Sequence, residues 1–287
     1  MNHRYRLLPL LALPIFTTAD NYKAAWHGPD RPLYVVTQNH YAEGFTPEGR
    51  TARFGDLIAI EIFNPGAHRA DEPVVYKIGE HISLFMGAQR QGEVAIRKVL
   101  PLQCDSSAAI VTADSSLHFG KDTMALATNA GNIRPHASKQ HEAEAQARGY
   151  ATQLAKAEFQ KNGVPVELLR SMEMQQLVLT ALDNSKHQFL IGYFSVKANA
   201  ARHEVFLIAK MDSPAGAAEL ARYHKTTDVE DGTDSENIRF VDQLDLDGDG
   251  MDEIVIEITG YEDEEFAIYK RSNGHWSQVH LGGGGGC

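Results

Sequence analysis

The chain is short of cysteine, of basic residues and of long apolar runs, and each shortage narrows what it can be. Two cysteines, Cys104 and Cys287, in 287 residues exclude a small disulfide scaffold. Lys and Arg number 27 against 38 Asp and Glu, a net charge of -11, which argues against sequence-independent binding to nucleic acid or anionic lipid, where a basic surface supplies most of the attraction. The one sustained apolar run, Leu7 to Phe16, is broken by Pro9 and Pro14 and is too short to span a bilayer. No His-x-x-x-His or His-Glu-x-x-His spacing occurs, and no Cys pair lies near any of the 13 histidines, so these read as surface or hydrogen-bonded residues. Nucleophile-elbow, phosphate-loop and dinucleotide fingerprints are absent too. No reaction is named by any motif. At 43% hydrophobic and 23% charged the chain is nonetheless an ordinary globular one, long enough for about two domains.

The N-terminus carries an address. Arg4 and Arg6 precede the apolar run, and Thr17-Thr18-Ala19 places small residues at the -3 and -1 positions of a cleavage site before Asp20. This is a secretory signal pattern over residues 1–19, with no Cys nearby to carry a lipid, and it predicts an extracytoplasmic protein, periplasmic or secreted, cleaved near Ala19. The mature charge is then -13, and it is uneven: Thr226 to Tyr269 holds 16 acids and one base, Arg239.

The fold class is mainly β with one long helix. Residues 27–130 read as a β-sandwich-like domain with strands at Leu33 to Gln38, Leu57 to Phe63, Val74 to Ile78, Glu93 to Leu100, Ala108 to Ala113 and Met124 to Thr128. The β-branched run Leu57 to Phe63, bounded by Gly55-Asp56 and Asn64-Pro65-Gly66, is the clearest of them. Residues 131–163 read as a connecting helix, capped by Ser138, apolar at Ala143, Ala147, Tyr150, Ala151 and Leu154, and ended by Asn162-Gly163. Its expected role is to pack one face on a sheet.

Strands return over 164–287: Leu177 to Leu182, Phe189 to Lys197, Glu204 to Lys210, Ile238 to Leu244, Glu253 to Gly260, Glu265 to Arg271 and His275 to Leu281. Asn273-Gly274 fits a two-residue hairpin because both positions accept positive φ, so the last four strands make an antiparallel meander. Aligning Asp183 with Asp247 superposes Leu190-Ile191 on Ile254-Val255, a degenerate duplication. Two copies are too few to close a propeller.

One constellation carries chemistry. Asp245-Leu246-Asp247-Gly248-Asp249-Gly250-Met251-Asp252-Glu253 places carboxylates at relative positions 1, 3, 5 and 9 with a backbone carbonyl available at 7. Alternate side chains of a tightly curled loop converge on one point, and hard oxygen ligands suit Ca²⁺. Position 12 is Ile256 and the flanks are strands, so the loop is not an EF-hand. The alternative is a solvated Asp/Gly turn. Against it, four carboxylates within nine residues repel one another unless a cation is present, and no Lys or Arg other than Arg239 stands between Thr226 and Tyr269. The second acidic stretch, Asp228 to Glu236, reads as a surface loop rather than a second cation site.

Asp245 to Glu253 followed by Ile254-Val255-Ile256 resembles the calcium loop of FG-GAP (VCBS-like) repeats, the blades of integrin-type propellers. The likeness covers about residues 238 to 271. It implies Ca²⁺ held by the side chains of Asp245, Asp247, Asp249 and Glu253 and by the carbonyl of Met251, in strand meanders of propeller-blade type. In the 177 to 210 copy, Ala181, Asn184, Ser185, Lys186 and Phe189 stand where ligands or glycines belong, so that copy is expected to bind nothing.

Cys104 and Cys287 can form a disulfide in an oxidising compartment, the five preceding glycines serving as an adaptable reach. Two unpaired thiols, or a terminal Gly-Cys used for intermolecular linkage, are the alternatives. The whole reads as an exported, calcium-binding, non-catalytic module for binding or envelope-associated recognition of a protein or glycan ligand. The competing reading is an extracytoplasmic hydrolase in which Ca²⁺ is a structural clip, to be recognised by convergent carboxylates or a Ser/His pair in a pocket of the 30 to 130 region.

Overall fold

The computed structural model describes residues 26–38, 56–66, 76–101, 107–113, 117, 119, 123–136, 141–142, 145–185, 187–198, 201–211, 218–227, 236–260 and 263–286. The signal pattern at 1–19, Cys104, Cys287 and most of the acidic stretch Asp228 to Glu236 lie outside the described residues.

Six strands, β1 (Leu33–Gln38), β2 (Leu57–Phe63), β3 (His81–Met86), β4 (Gln89–Pro101), β5 (Ser107–Ala113) and β6 (Met124–Thr128), form a closed antiparallel barrel in the order β1-β2-β5-β4-β3-β6. Where a β-sandwich-like domain is expected over residues 27–130, the described strands form one sheet closed on itself. Met124–Thr128 is buried along its whole length, and so are the first four residues of β1, Leu33 to Val36, because both faces are covered. Tyr34, Val36, Ala59, Leu84, Ile96 and Ala127 fill the interior, while Leu33, Val35, Ile60 and Leu126 face outward onto a second sheet. The strand expected at Val74 to Ile78 is not formed over its described part: Ile78 and Gly79 turn, with Gly79 at φ 87° and Ile78 exposed. The strand comes later, as β3, and turns into β4 through Gly87 (φ 58°) and Ala88 (φ 61°), a two-residue hairpin that needs both in the left-handed region.

After the barrel, β7 (His141–Glu142) pairs with β8 (Glu173–Thr180). This pairing moves the helix start past Ser138, and α1 runs Ala145–Lys161. Its end is as expected: Gly163 (φ 80°) takes the left-handed position, and Asn162 donates its side-chain amide to the Glu158 carbonyl. The sheet continues through β9 (Phe189–Ala198), β10 (Ala201–Lys210) and β11 (Leu220–Thr227) in the order β11-β10-β9-β8-β7. The last sheet is the meander β12 (Asn237–Leu244), β13 (Glu253–Thr259), β14 (Asp263–Ser272) and β15 (His275–Gly286). Asn273 (φ 54°) and Gly274 (φ 82°) form the expected hairpin turn between β14 and β15.

These parts stack in four layers. Val241, Leu244, Val255, Phe266 and Ile268 of the meander face the barrel. The alternate residues Phe240, Ile254, Ile256, Ala267 and Tyr269 face Phe189, Ile191, Tyr193 and Phe206 of the five-stranded sheet. That sheet's far face, with Leu190, Phe194, Val205 and Leu207, takes Ala147, Ala151, Leu154, Ala155 and Phe159 of α1. Period 2 in the strands and period 3.6 in the helix thus place these apolar stripes against one another. Among the described residues, no helix is long and apolar enough to cross a membrane.

The glycine tail is not a slack tether. β15 continues through Gly286, pairing with Asp263 and Glu264. A β-carbon at Gly283 (φ 73°) would lie 2.7 Å from Ile62 Cα, and one at Gly284 (φ 80°) 1.9 Å from the Glu264 carbonyl. Only glycine lets β15 pass this close to β2 and β14.

Candidate metal centre

The acidic loop joins β12 to β13. It curls because Gly248 (φ 79°) and Gly250 (φ 91°) adopt the left-handed conformation, and because Asp245, 1% exposed, accepts the backbone N–H of Gly248 at 2.7 Å and of Gly250 at 2.9 Å. Asp249 Oδ1 accepts the N–H of Met251 at 2.9 Å. Glu253 Oε2 accepts the N–H of Leu246 at 2.8 Å, tying the two ends together. Oxygen atoms of Asp245, Asp247 and Glu253 lie within 4.8 Å of one another.

A cation already stands in this cluster. Lys270 of β14 follows Tyr269, which pairs with Ile254, so its side chain reaches over the loop. Its Nζ lies 2.6 Å from Asp247 Oδ2 and 3.1 Å from Glu253 Oε1, and it also bonds Asp249 Oδ2. The repulsion read from the sequence is therefore relieved by a base one residue beyond the acidic segment. Burial and the neighbouring Asp247 push the Glu253 carboxyl up to about 8, with Lys270 opposing. Burial pulls the Lys270 ammonium down, but Glu253, Asp247 and Asp249 outweigh it and hold it above the ordinary lysine value. Burial also raises Asp245, against the two backbone N–H donors.

Of the five residues expected as ligands, the fold brings Asp245, Asp247 and Glu253 together directly and Asp249 through the shared ammonium. Met251 forms an isolated antiparallel bridge with Asp183, so the degenerate loop between β8 and β9 abuts the intact one. The donor set fits a hard cation on two observations: the ammonium stands in for one, and Asp247 Oδ1 is buried with no hydrogen-bond partner among the described residues. All the side-chain donors are carboxylate oxygens, the chemistry that suits a hard cation.

The loop is also pinned to the barrel. Asn132, in the segment leaving β6, donates its side-chain amide to the carbonyls of Gly28 and Leu246, each at 3.1 Å. His136 Nε2 lies 2.8 Å from both carboxylate oxygens of Asp252, and Gln243 donates to Asp252 Oδ2 at 2.8 Å. The hydrogen bond to Asp252 raises His136 against the opposing effect of burial. Sequence reading missed Lys270, Asn132 and His136. Lys270 could have been found only from the β13–β14 register, and nothing local marks the other two, which act across more than 100 residues.

A cavity of about 470 Å³ opens on the barrel beside Arg31, Tyr34, Lys77, Glu80, Ile82 and Asn129. Among the described residues it is lined by one carboxylate and by neither Ser nor His, and both ends of the Asn129 amide are engaged by the backbone of His81 and Ser83. Comparison with protein-family models, with curated proteins and with solved structures returned no match.

Proposed function

We propose that this chain is an exported, calcium-binding and non-catalytic β module, in which the loop from Asp245 to Glu253 clips the meander to the barrel. The observation that carries the reading is the convergence of Asp245, Asp247 and Glu253 at the point where Asn132 and His136 join the barrel to the loop. Asp245, Asp247, Asp249 and Glu253 would hold Ca²⁺ with the Met251 carbonyl, as the resemblance to FG-GAP repeats implies. The ion would supply charge neutralisation and rigidity there, not a reaction. A rigid clip suits a module for recognition, of a protein or a glycan outside the cytoplasm.

Two measurements test this. Calorimetric titration of Ca²⁺ into the chelator-stripped mature protein should show one binding event, and no heat and no thermal shift at millimolar Ca²⁺ would end the calcium reading. N-terminal sequencing of the exported protein should begin at Asp20, whereas an intact Met1 terminus in the cytoplasm would end the export reading.

A further inference from the structure

Three carboxylates proposed as metal ligands are already engaged by one amine. Lys270 sits on a strand held on both sides, its own backbone paired with Ser277 and the preceding Tyr269 paired with Ile254. Its side chain is 13% exposed, and that of Glu253 is 1% exposed. An ammonium has three donors, and here there are three carboxylate acceptors, on Asp247, Asp249 and Glu253. A metal on those residues needs oxygens at about 2.3 to 2.6 Å from itself, and it would share the space and the charge of the amine. Metal and amine would then compete for the same carboxylates.

We propose that Lys270 is the resident cation of this loop and that Ca²⁺ enters only by displacing its ammonium, so that lysine and metal compete for Asp247, Asp249 and Glu253. The identity of the entering ion rests on the calcium reading; the lysine's role in the metal-free loop does not. The exchange has two consequences. Without metal the loop is a closed structure whose charge the lysine offsets in part, rather than an open ring of repelling acids. With metal, the apparent affinity is reduced by the fraction of molecules in which the lysine has left.

The test compares the full mature chain with Lys270→Met. In chelator the variant should melt below the parent, having lost the counter-charge. In calorimetry it should bind Ca²⁺ at least about tenfold more tightly, which corresponds to a lysine-out state populated in no more than about one molecule in ten. Binding by the variant but not by the parent keeps Lys270 as the resident cation but overturns the exchange in the parent and ends its calcium reading. Equal affinities overturn the exchange and leave the calcium reading standing, whereas binding by neither overturns both. Should the variant fail to fold, acetylation of the parent by acetic anhydride, mapped by mass spectrometry, decides. In chelator Lys270 should react far more slowly than Lys161, whose side chain is 73% exposed, and saturating Ca²⁺ should remove that protection. Equal rates in chelator, or protection unchanged by bound Ca²⁺, overturn the proposal.

Discussion

The carbonyl oxygen of Asn132 lies 2.9 Å from where a β-carbon of Gly248 would stand, while the Asn132 side chain donates to the carbonyl of Leu246 two residues earlier in the same loop. The segment leaving the barrel thus grips the acidic loop by its backbone. Gly248→Ala meets both a positive φ of 79° and this carbonyl, whereas Gly250→Ala meets only the φ of 91°, with nothing within 4 Å. The left-handed conformation alone costs about 1 to 2 kcal/mol for a residue with a β-carbon. Gly250→Ala should lose about that much and Gly248→Ala clearly more, in urea melts run in chelator. Equal losses would show that the approach of Asn132 does not constrain the loop.

If the calcium affinity falls in the range of extracellular modules, about 10⁻⁴ to 10⁻³ M, then roughly 1 mM Ca²⁺ adds about 0.4 to 1.4 kcal/mol by mass action. Asp247→Ala and Asp249→Ala should each abolish the resulting rise in melting temperature. Asp183→Ala, whose side chain accepts the N–H of Ser185, should keep it. An Asp247→Ala protein that responds as fully as the parent would remove that residue from the ligand set.

The flanks of the two cysteines approach the same end of the barrel. Gly283, four residues before Cys287, packs on Ile62 of β2. Cys104 stands between Pro101 and Ser107, which are paired across β4 and β5, and β5 itself pairs with β2. Non-reducing peptide mapping should yield one species containing both Cys104 and Cys287. Closing a loop of 183 residues stabilises by up to about 5 kcal/mol in the chain-entropy model, so reduction should lower the melting temperature. Two free thiols in protein taken from an oxidising compartment would refute the pairing.

His280 lies against the rings of Trp26 and Phe63 with Nε2 2.8 Å from the Ile62 carbonyl. Burial lowers it below the ordinary histidine value, against the raising effect of that carbonyl. Below a pH of about 6.5 the unfolded chain takes up a proton there that the folded chain resists, so stability falls with the pH until the folded value is reached. Urea melts at pH 5.5 and 7.5 should show a larger acid loss for the parent than for His280→Gln, by up to roughly 1 kcal/mol. Matching losses would place the acid sensitivity elsewhere.

Several elements are legible in the amino-acid sequence alone. Leu33–Gln38, Leu57–Phe63 and Met124–Thr128 have the bounds that β-branched runs and turn residues predict. Others are not. β11, Leu220–Thr227, is an edge strand with almost no fully buried residue, so it lacks the apolar alternation by which strands are recognised. The local signal points to Val74 to Ile78 rather than to β3 because it holds the β-branched Val74, Val75 and Ile78 against Ile82 alone in β3, while the hairpin at Gly87-Ala88 carries no Asn-Gly or Asp-Gly mark.

The sequence by itself determined what depends on a few adjacent residues: the β-rich composition, the helix end at Asn162-Gly163, the Asn273-Gly274 hairpin, and a curled loop presenting Asp245, Asp247, Asp249 and Glu253. Turn chemistry and side-chain period act over that range and need no partner. Only the tertiary structure decided that six strands close into a barrel, that glycines 283 and 284 serve close packing, and that Lys270 and His136 meet the acidic loop. These depend on strand register and on contacts between residues far apart in the chain, whose pairing is chosen by the burial of whole faces rather than by any local signal.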